Sequence, residues 1–117
     1  GSGLSRKNRV SAAQIVRVLE TSYRYNFAND FISSLSISGV DGTLKNRFRR
    51  SPLKGIVLAK TGSLAFVNTL SGYLMINKIP IAFSILFNDC TSSLKTIQRA
   101  QEKILYALYK RSSQLSL

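Results

Sequence analysis

The sequence predicts an α+β fold, a mainly antiparallel three-strand sheet flanked by an N-terminal and a C-terminal helix. Three observations carry this reading. Residues 11–25 repeat apolar side chains at helical spacing, residues 55–87 change to short apolar runs separated by turn residues, and residues 92–110 return to helical spacing. The 117 residues, 44% hydrophobic and 19% charged, suit a single domain with a core of its own.

Gly1 to Val10 show no periodicity and read as a loop. Ser11-Ala12-Ala13-Gln14 then has the spacing of a capping box, with Ser as N-cap and Gln three residues on. Behind it Ala12, Ile15, Val16, Leu19 and Tyr23 share one helical face, and Gln14, Arg17, Glu20 and Arg24 lie opposite. Phe27 to Leu35 reads as a short second helix opening near Asn29 or Asp30. Gly39-Val40-Asp41-Gly42 is turn chemistry, and Leu44 to Arg50 can form one or two helical turns before Pro52.

Strands are expected over about 55–61, 66–76 and 80–87, the last two joined as a hairpin by Asn77-Lys78, a weaker turn signal than Asn-Gly. Ile81, Phe83, Ile85 and Phe87 share one face of the last strand while Ala82 and Leu86 share the other, which implies a sheet covered on both sides. Leu94, Ile97, Ala100, Ile104, Leu105 and Leu108 mark the buried face of a helix over 92–110. Ser92 is expected to cap it, with Ser93 as the alternative.

Several functions are excluded by composition. Without histidine there is no His-ligated zinc, no Ser-His-Asp triad and no Cys-His dyad, and no metal or cofactor is expected. The single cysteine, Cys90, can form no intrachain disulfide and reads as a small, partly buried residue. No run approaches the 18 apolar residues of a membrane span, and an export signal is not expected within this stretch. The formal charge of +12 is concentrated at Arg47, Arg49, Arg50 and Lys54 and at Arg6, Lys7 and Arg9. Such density suits anionic polymers, lipid headgroups or nucleic acid. No nucleic-acid-binding motif accompanies it, and the one aromatic among these residues, Phe48, is not a stacking platform.

Lys60-Thr61-Gly62, at the end of the first strand run, is the most informative tripeptide. An ammonium and a hydroxyl beside a residue with no side chain form a compact site for a carboxylate, with room for a ligand backbone at the strand edge. It stands in an ordered series: Ser2-Gly3-Leu4-Ser5-Arg6, Gly39-Val40-Asp41-Gly42-Thr43-Leu44 with Asn46-Arg47-Phe48, Ala59-Lys60-Thr61-Gly62-Ser63-Leu64, and Leu70-Ser71-Gly72-Tyr73. This series resembles the C-terminal part of the D-alanyl-D-alanine carboxypeptidases/endopeptidases, the low-molecular-mass class C penicillin-binding proteins.

The resemblance implies a serine acyltransferase of the penicillin-recognising fold, without cofactor, acting outside the cytoplasm on peptidoglycan peptides and acylated by β-lactams. Members use Ser-x-x-Lys, Ser-x-Asn and Lys-Thr-Gly. Only the last has its setting here; no Ser-x-Asn occurs, and the Ser-x-x-Lys spacings at Ser51/Lys54 and Ser92/Lys95 lie in the wrong places for a nucleophile. The resemblance therefore implies that residues 1–117 are a C-terminal portion of a larger domain, inactive by themselves. It assigns Lys60 and Thr61 to the substrate carboxylate, Gly62 to clearance beside the acyl group, and the Ser63 backbone N–H to the oxyanion hole, with no role for the Ser63 side chain. Arg47 is expected to tie neighbouring loop carbonyls. Helices of the absent nucleophile lobe would cover one sheet face, so that face is expected bare here, favouring self-association or cover by other segments. The competing expectation is a basic, non-enzymatic binding module for an anionic polymer or nucleic acid.

Overall fold

The computed structural model describes residues 11–24, 28–64, 67–88 and 91–115. The Ser2–Arg6 loop, the cluster of Arg6, Lys7 and Arg9, Phe27, Phe66 and Cys90 lie outside the described residues. The chain runs α1 (Ala12–Arg24), α2 (Ala28–Ser33), β1 (Ser36–Ile37), a 3-10 turn at Gly42–Leu44, β2 (Val57–Leu64), β3 (Val67–Ile76), β4 (Ile79–Asn88) and α3 (Leu94–Leu115). The strands form one antiparallel sheet in the order β1-β2-β3-β4. The fourth strand, β1, is two residues long, too short for alternation to reveal it in the sequence.

Helix α1 starts at a complete capping box. Ser11 Oγ accepts from the Gln14 N–H at 3.1 Å, and Gln14 Oε1 accepts from the Ser11 N–H at 2.9 Å. In the β3–β4 hairpin Asn77 and Lys78 have φ of 50° and 66°, and Ile76 pairs with Ile79. Positive φ at both central residues is the turn whose twist matches that of its strands, so Asn-Lys does the work more often given to Asn-Gly.

The two sheet faces follow from strand alternation. Val57, Ala59, Leu70, Leu74 and Phe83 point to one side, where they pack with Leu44, Phe48 and Leu53 of the 38–56 loop and with Leu105 of α3. Leu58, Tyr73, Met75 and Ala82 point to the other and meet Ile15 and Leu19 of α1 and Phe31 and Ile32 of α2. The expectation of a bare face is thus corrected. The N-terminal helices fold back over the side opposite α3, so an uncovered sheet face no longer argues for self-association.

Every residue of Leu70-Ser71-Gly72-Tyr73 has a structural reason. Leu70 is fully buried, and the Ser71 and Ser84 hydroxyls bond across the ladder at 2.8 Å. A Cβ on Gly72 would strike the Leu58 carbonyl oxygen and come 2.6 Å from Ala59 Cα, so only glycine lets β2 and β3 lie this close. Tyr73, 1% exposed, donates its phenol proton to the Leu19 carbonyl oxygen of α1 at 2.6 Å.

Helix α3 departs from the expected buried face. Leu94 and Ile104 are 53% and 47% exposed, whereas Gln101 is only 3% exposed. The cause is Arg47. Instead of tying loop carbonyls, its guanidinium crosses to α3, donating to Glu102 Oε2, Gln101 Oε1 and the Gln98 carbonyl oxygen, each at 3.2 Å. The cap of α3 is Ser93, whose Oγ accepts from the Thr96 N–H at 3.2 Å, rather than Ser92.

Candidate functional site

The backbone of β2 decides what its outer edge can offer. The Ile56 carbonyl accepts from Met75 of β3 at 2.8 Å, and the Val57 carbonyl accepts from Ser38, on the β1 side, at 2.9 Å. Alternation in an antiparallel ladder then directs even-numbered residues toward β3 and odd-numbered ones toward the β1 side. Strand β1 pairs only with Leu58 and Ala59. The N–H and C=O groups of Thr61 and Ser63 therefore face an edge that no strand among the described residues occupies.

Lys60 is exposed, and its ammonium donates to the Thr61 carbonyl oxygen at 2.6 Å, which brings the positive charge round onto that same edge. The Thr61 side chain leaves the opposite face of the strand. Its hydroxyl donates to Thr43 Oγ1 at 3.0 Å, so the Lys60 ammonium and the Thr61 hydroxyl can converge only around the strand edge, not along one face. Gly62 has close space above it: a Cβ there would come 2.5 Å from Thr69 Oγ1, a hydroxyl that can rotate away. The side chain of Ser63, given no role by the sequence, donates to Asn68 Oδ1 at 3.1 Å and ties the strand end to β3.

Thr43 is held in place by its own turn. Its N–H donates to Ser36 Oγ at 3.1 Å, and the Ser36 and Thr43 hydroxyls lie 3.3 Å apart. Gly42, with φ of 58°, admits this contact because a Cβ there would overlap Ser36 Oγ. Asp41 Oδ1 accepts the Ile37 N–H at 2.8 Å. Beneath the turn, fully buried Ser38 donates to the Leu53 carbonyl oxygen at 2.6 Å and accepts from the Gly55 and Val57 N–H groups, both at 3.1 Å. The Gly39–Leu44 segment is thus the support of Thr61. Ser36, Ser38 and Asn68 were missed by sequence reasoning, because a lone Ser or Asn carries no local signal for a partner across the fold.

Neither Ser-x-x-Lys spacing forms a nucleophile site. Ser51 Oγ accepts from the Leu53 N–H at 3.1 Å, and Lys54, Ser92 and Lys95 are exposed. Among the described residues no three His, Cys, Asp or Glu stand close enough together to hold a metal ion, and no helix is long and apolar enough to cross a membrane. Chemically, β2 presents an ammonium and outward-facing backbone groups along one edge. That arrangement suits an extended anionic ligand added as a further strand.

A sequence model described as the D-Ala-D-Ala carboxypeptidase 3 (S13) family matches residues 1–108. Penicillin-sensitive carboxypeptidase A of Dictyostelium discoideum is 36% identical over 118 residues, covering 94% of this chain and 23% of that protein. D-alanyl-D-alanine carboxypeptidase of Actinomadura sp. strain R39 is 41% identical over 93 residues, covering 75% of this chain and 17% of its own length. Among solved structures, penicillin binding protein 4 (dacB) of Haemophilus influenzae, complexed with a β-lactam, superposes with a TM-score of 0.81 at 31% identity, over 93% of this chain and 28% of that one. The chain spans less than a quarter of the length of these two curated relatives. With the family model covering nearly the whole sequence and the fold superposing on a relative, the chain belongs to the D-Ala-D-Ala carboxypeptidase 3 (S13) family.

Proposed function

We propose that this chain supplies the substrate-anchoring strand of a serine-type D-Ala-D-Ala carboxypeptidase/endopeptidase that acts outside the cytoplasm on peptidoglycan stem peptides and is acylated by penicillin. The observation that carries the proposal is the open edge of β2, where the Lys60 ammonium sits on the Thr61 carbonyl beside the outward-facing backbone of Ser63. Lys60 and Thr61 hold the terminal carboxylate of the D-Ala-D-Ala peptide or of penicillin. Lys60 also keeps the field around the reacting centre positive. Gly62 clears space beside the acyl group. The Ser63 N–H is one of two donors to the oxyanion of the tetrahedral intermediate, a kind of contact whose loss typically costs about 3–4 kcal/mol.

The nucleophilic serine, its lysine and the Ser-x-Asn loop belong to a portion of the domain outside residues 1–117, so this chain alone performs no acyl transfer. Fluorescent penicillin tests the proposal. The full-length protein takes up label at a serine outside residues 1–117, and residues 1–117 by themselves take up none. An adduct on Ser51 or Ser92, or no adduct on the full-length protein, contradicts it.

A further inference from the structure

The 45–56 loop and α3 form one continuous surface on the side of the sheet away from α1. Arg47 joins them through Gln98, Gln101 and Glu102, and Phe48, Ser51, Arg99, Glu102, Lys103 and Tyr106 line an open groove of about 340 Å3 between them. These two segments contain ten Lys and Arg residues and a single acidic residue, Glu102, so they carry +9 of the chain's +12. Nine of the ten cations are exposed, while the tenth, buried Arg47, is paired with Glu102 at 3.2 Å. The one carboxylate of the surface is therefore already engaged.

The cations are arranged as a sheet of charge. On α3, Lys95, Arg99, Lys103 and Lys110 recur four or seven residues apart, which keeps them within one stripe about 22 Å long. Arg49, Arg50 and Lys54 extend the charge sideways across the loop. Exposed apolar side chains accompany them. Tyr106, 42% exposed, stands in the stripe with the Lys110 ammonium 5.8 Å from its ring centroid, and Val40, 50% exposed, follows Gly39, which packs against Lys54 and Arg49.

We propose that this surface docks the protein onto an anionic lipid bilayer. The breadth of the charge over two elements matches a plane of headgroups, and a tyrosine and a valine among exposed cations match the boundary between headgroups and acyl chains. A nucleic acid strand would call for several stacking aromatics in a groove, and Tyr106 is the only exposed one between the two walls here. The contact is of a folded surface with headgroups; among the described residues no helix is long and apolar enough to cross a membrane. The surface is separate from Lys60, which projects from the sheet face that α1 and α2 cover, so the inference is independent of the enzymatic reading.

The test is flotation of the full-length protein with vesicles of phosphatidylcholine alone or with about one-third phosphatidylglycerol, over a salt series. Two variants of equal charge change are compared. Arg99→Gln/Lys103→Gln lies on the basic surface, and Arg17→Gln/Arg24→Gln lies on exposed positions of α1 across the sheet. Binding is expected only with phosphatidylglycerol and to weaken as salt rises. The surface pair is expected to weaken it about 25-fold, at roughly fivefold per cation. The α1 pair changes it less than threefold, and circular dichroism of both variants stays that of the parent. No preference for phosphatidylglycerol, equal losses from the two pairs, or binding to a single-stranded oligonucleotide without binding to vesicles would overturn the proposal.

Discussion

The hydroxyl of Thr61 donates to that of Thr43 at 3.0 Å, and Thr43 is in turn fixed by Ser36. A threonine that holds a carboxylate must donate to it, so Thr61 then releases Thr43, which can turn and donate to Thr61 instead. Hydroxyl protons rotate freely enough for this. The valine variant Thr43→Val removes the donor that would replace Thr61's lost partner. In the full-length protein it is expected to slow acylation by penicillin about tenfold, the equivalent of one hydrogen bond of about 1.4 kcal/mol. Thr43→Ser keeps the hydroxyl and is expected to stay within about twofold of the parent. Equal acylation rates in parent and Thr43→Val would show that Thr43 does not orient Thr61.

Tyr73 predicts how stability changes at alkaline pH. Burial, and secondarily the neighbouring Tyr23, raise its phenol above the ordinary value of 10.0. The folded protein then keeps this proton to a higher pH than the unfolded chain does. The associated stability is fully present below pH 10 and is lost as pH rises from there through the folded value. Urea midpoints should be level below about pH 9 and fall above it. Tyr73→Phe removes the bond to the Leu19 carbonyl, is expected to cost about 1 kcal/mol at neutral pH, and should flatten the alkaline fall. An unchanged alkaline slope in that variant would contradict this account.

Arg47 is the joint between loop and helix. Removing it leaves the Gln101 side chain, 3% exposed, without its donor, takes a second donor from the Gln98 carbonyl, which keeps its helical bond, and leaves Glu102 without its counter-ion. Arg47→Ala is expected to destabilise the protein by about 2–3 kcal/mol, less than for a fully buried pair because Glu102 is partly open to water. Glu102→Gln, which preserves an acceptor, should cost under about 1 kcal/mol. Chemical denaturation of both variants checks the order, and equal losses would refute it.

Gly72 is a position where the size of one methyl group matters. Gly72→Ala places a Cβ against the Leu58 carbonyl and the Ala59 backbone, neither of which can rotate aside. A loss of roughly 2–3 kcal/mol is expected. Gly62→Ala meets only the Thr69 hydroxyl and should cost much less, so a thermal-melt comparison of the two variants separates backbone conflict from side-chain conflict.

The elements legible in the sequence were those with a local pattern. The capping box at Ser11, the helical stripe of Ile15 and Leu19, and the apolar runs of β3 and β4 declare themselves within a few residues. What could not be read depends on distant partners. Gln101 is buried in a helix because an arginine 54 positions earlier reaches it, and nothing in the spacing of Leu94 and Ile104 shows that these two remain exposed. At the site, Lys60-Thr61-Gly62 stood out as a motif and Gly39–Leu44 stood beside it in order, but their contact through Thr43 and Ser36 required the fold. A strand edge open to a ligand was expected beside Lys60-Thr61-Gly62, but where that edge begins depends on where β1 stops, which only the fold shows.

The most direct test of the central claim is the rate at which penicillin acylates the full-length protein carrying Lys60→Ala. Lys60 is exposed on β2 and among the described residues bonds only to the Thr61 carbonyl, so its loss should leave the thermal midpoint within about 2 °C of the parent. The account predicts an acylation rate at least about 100-fold lower, because the variant has no charge on the open edge to hold the carboxylate. A folded Lys60→Ala variant that is acylated at the parent's rate would contradict it.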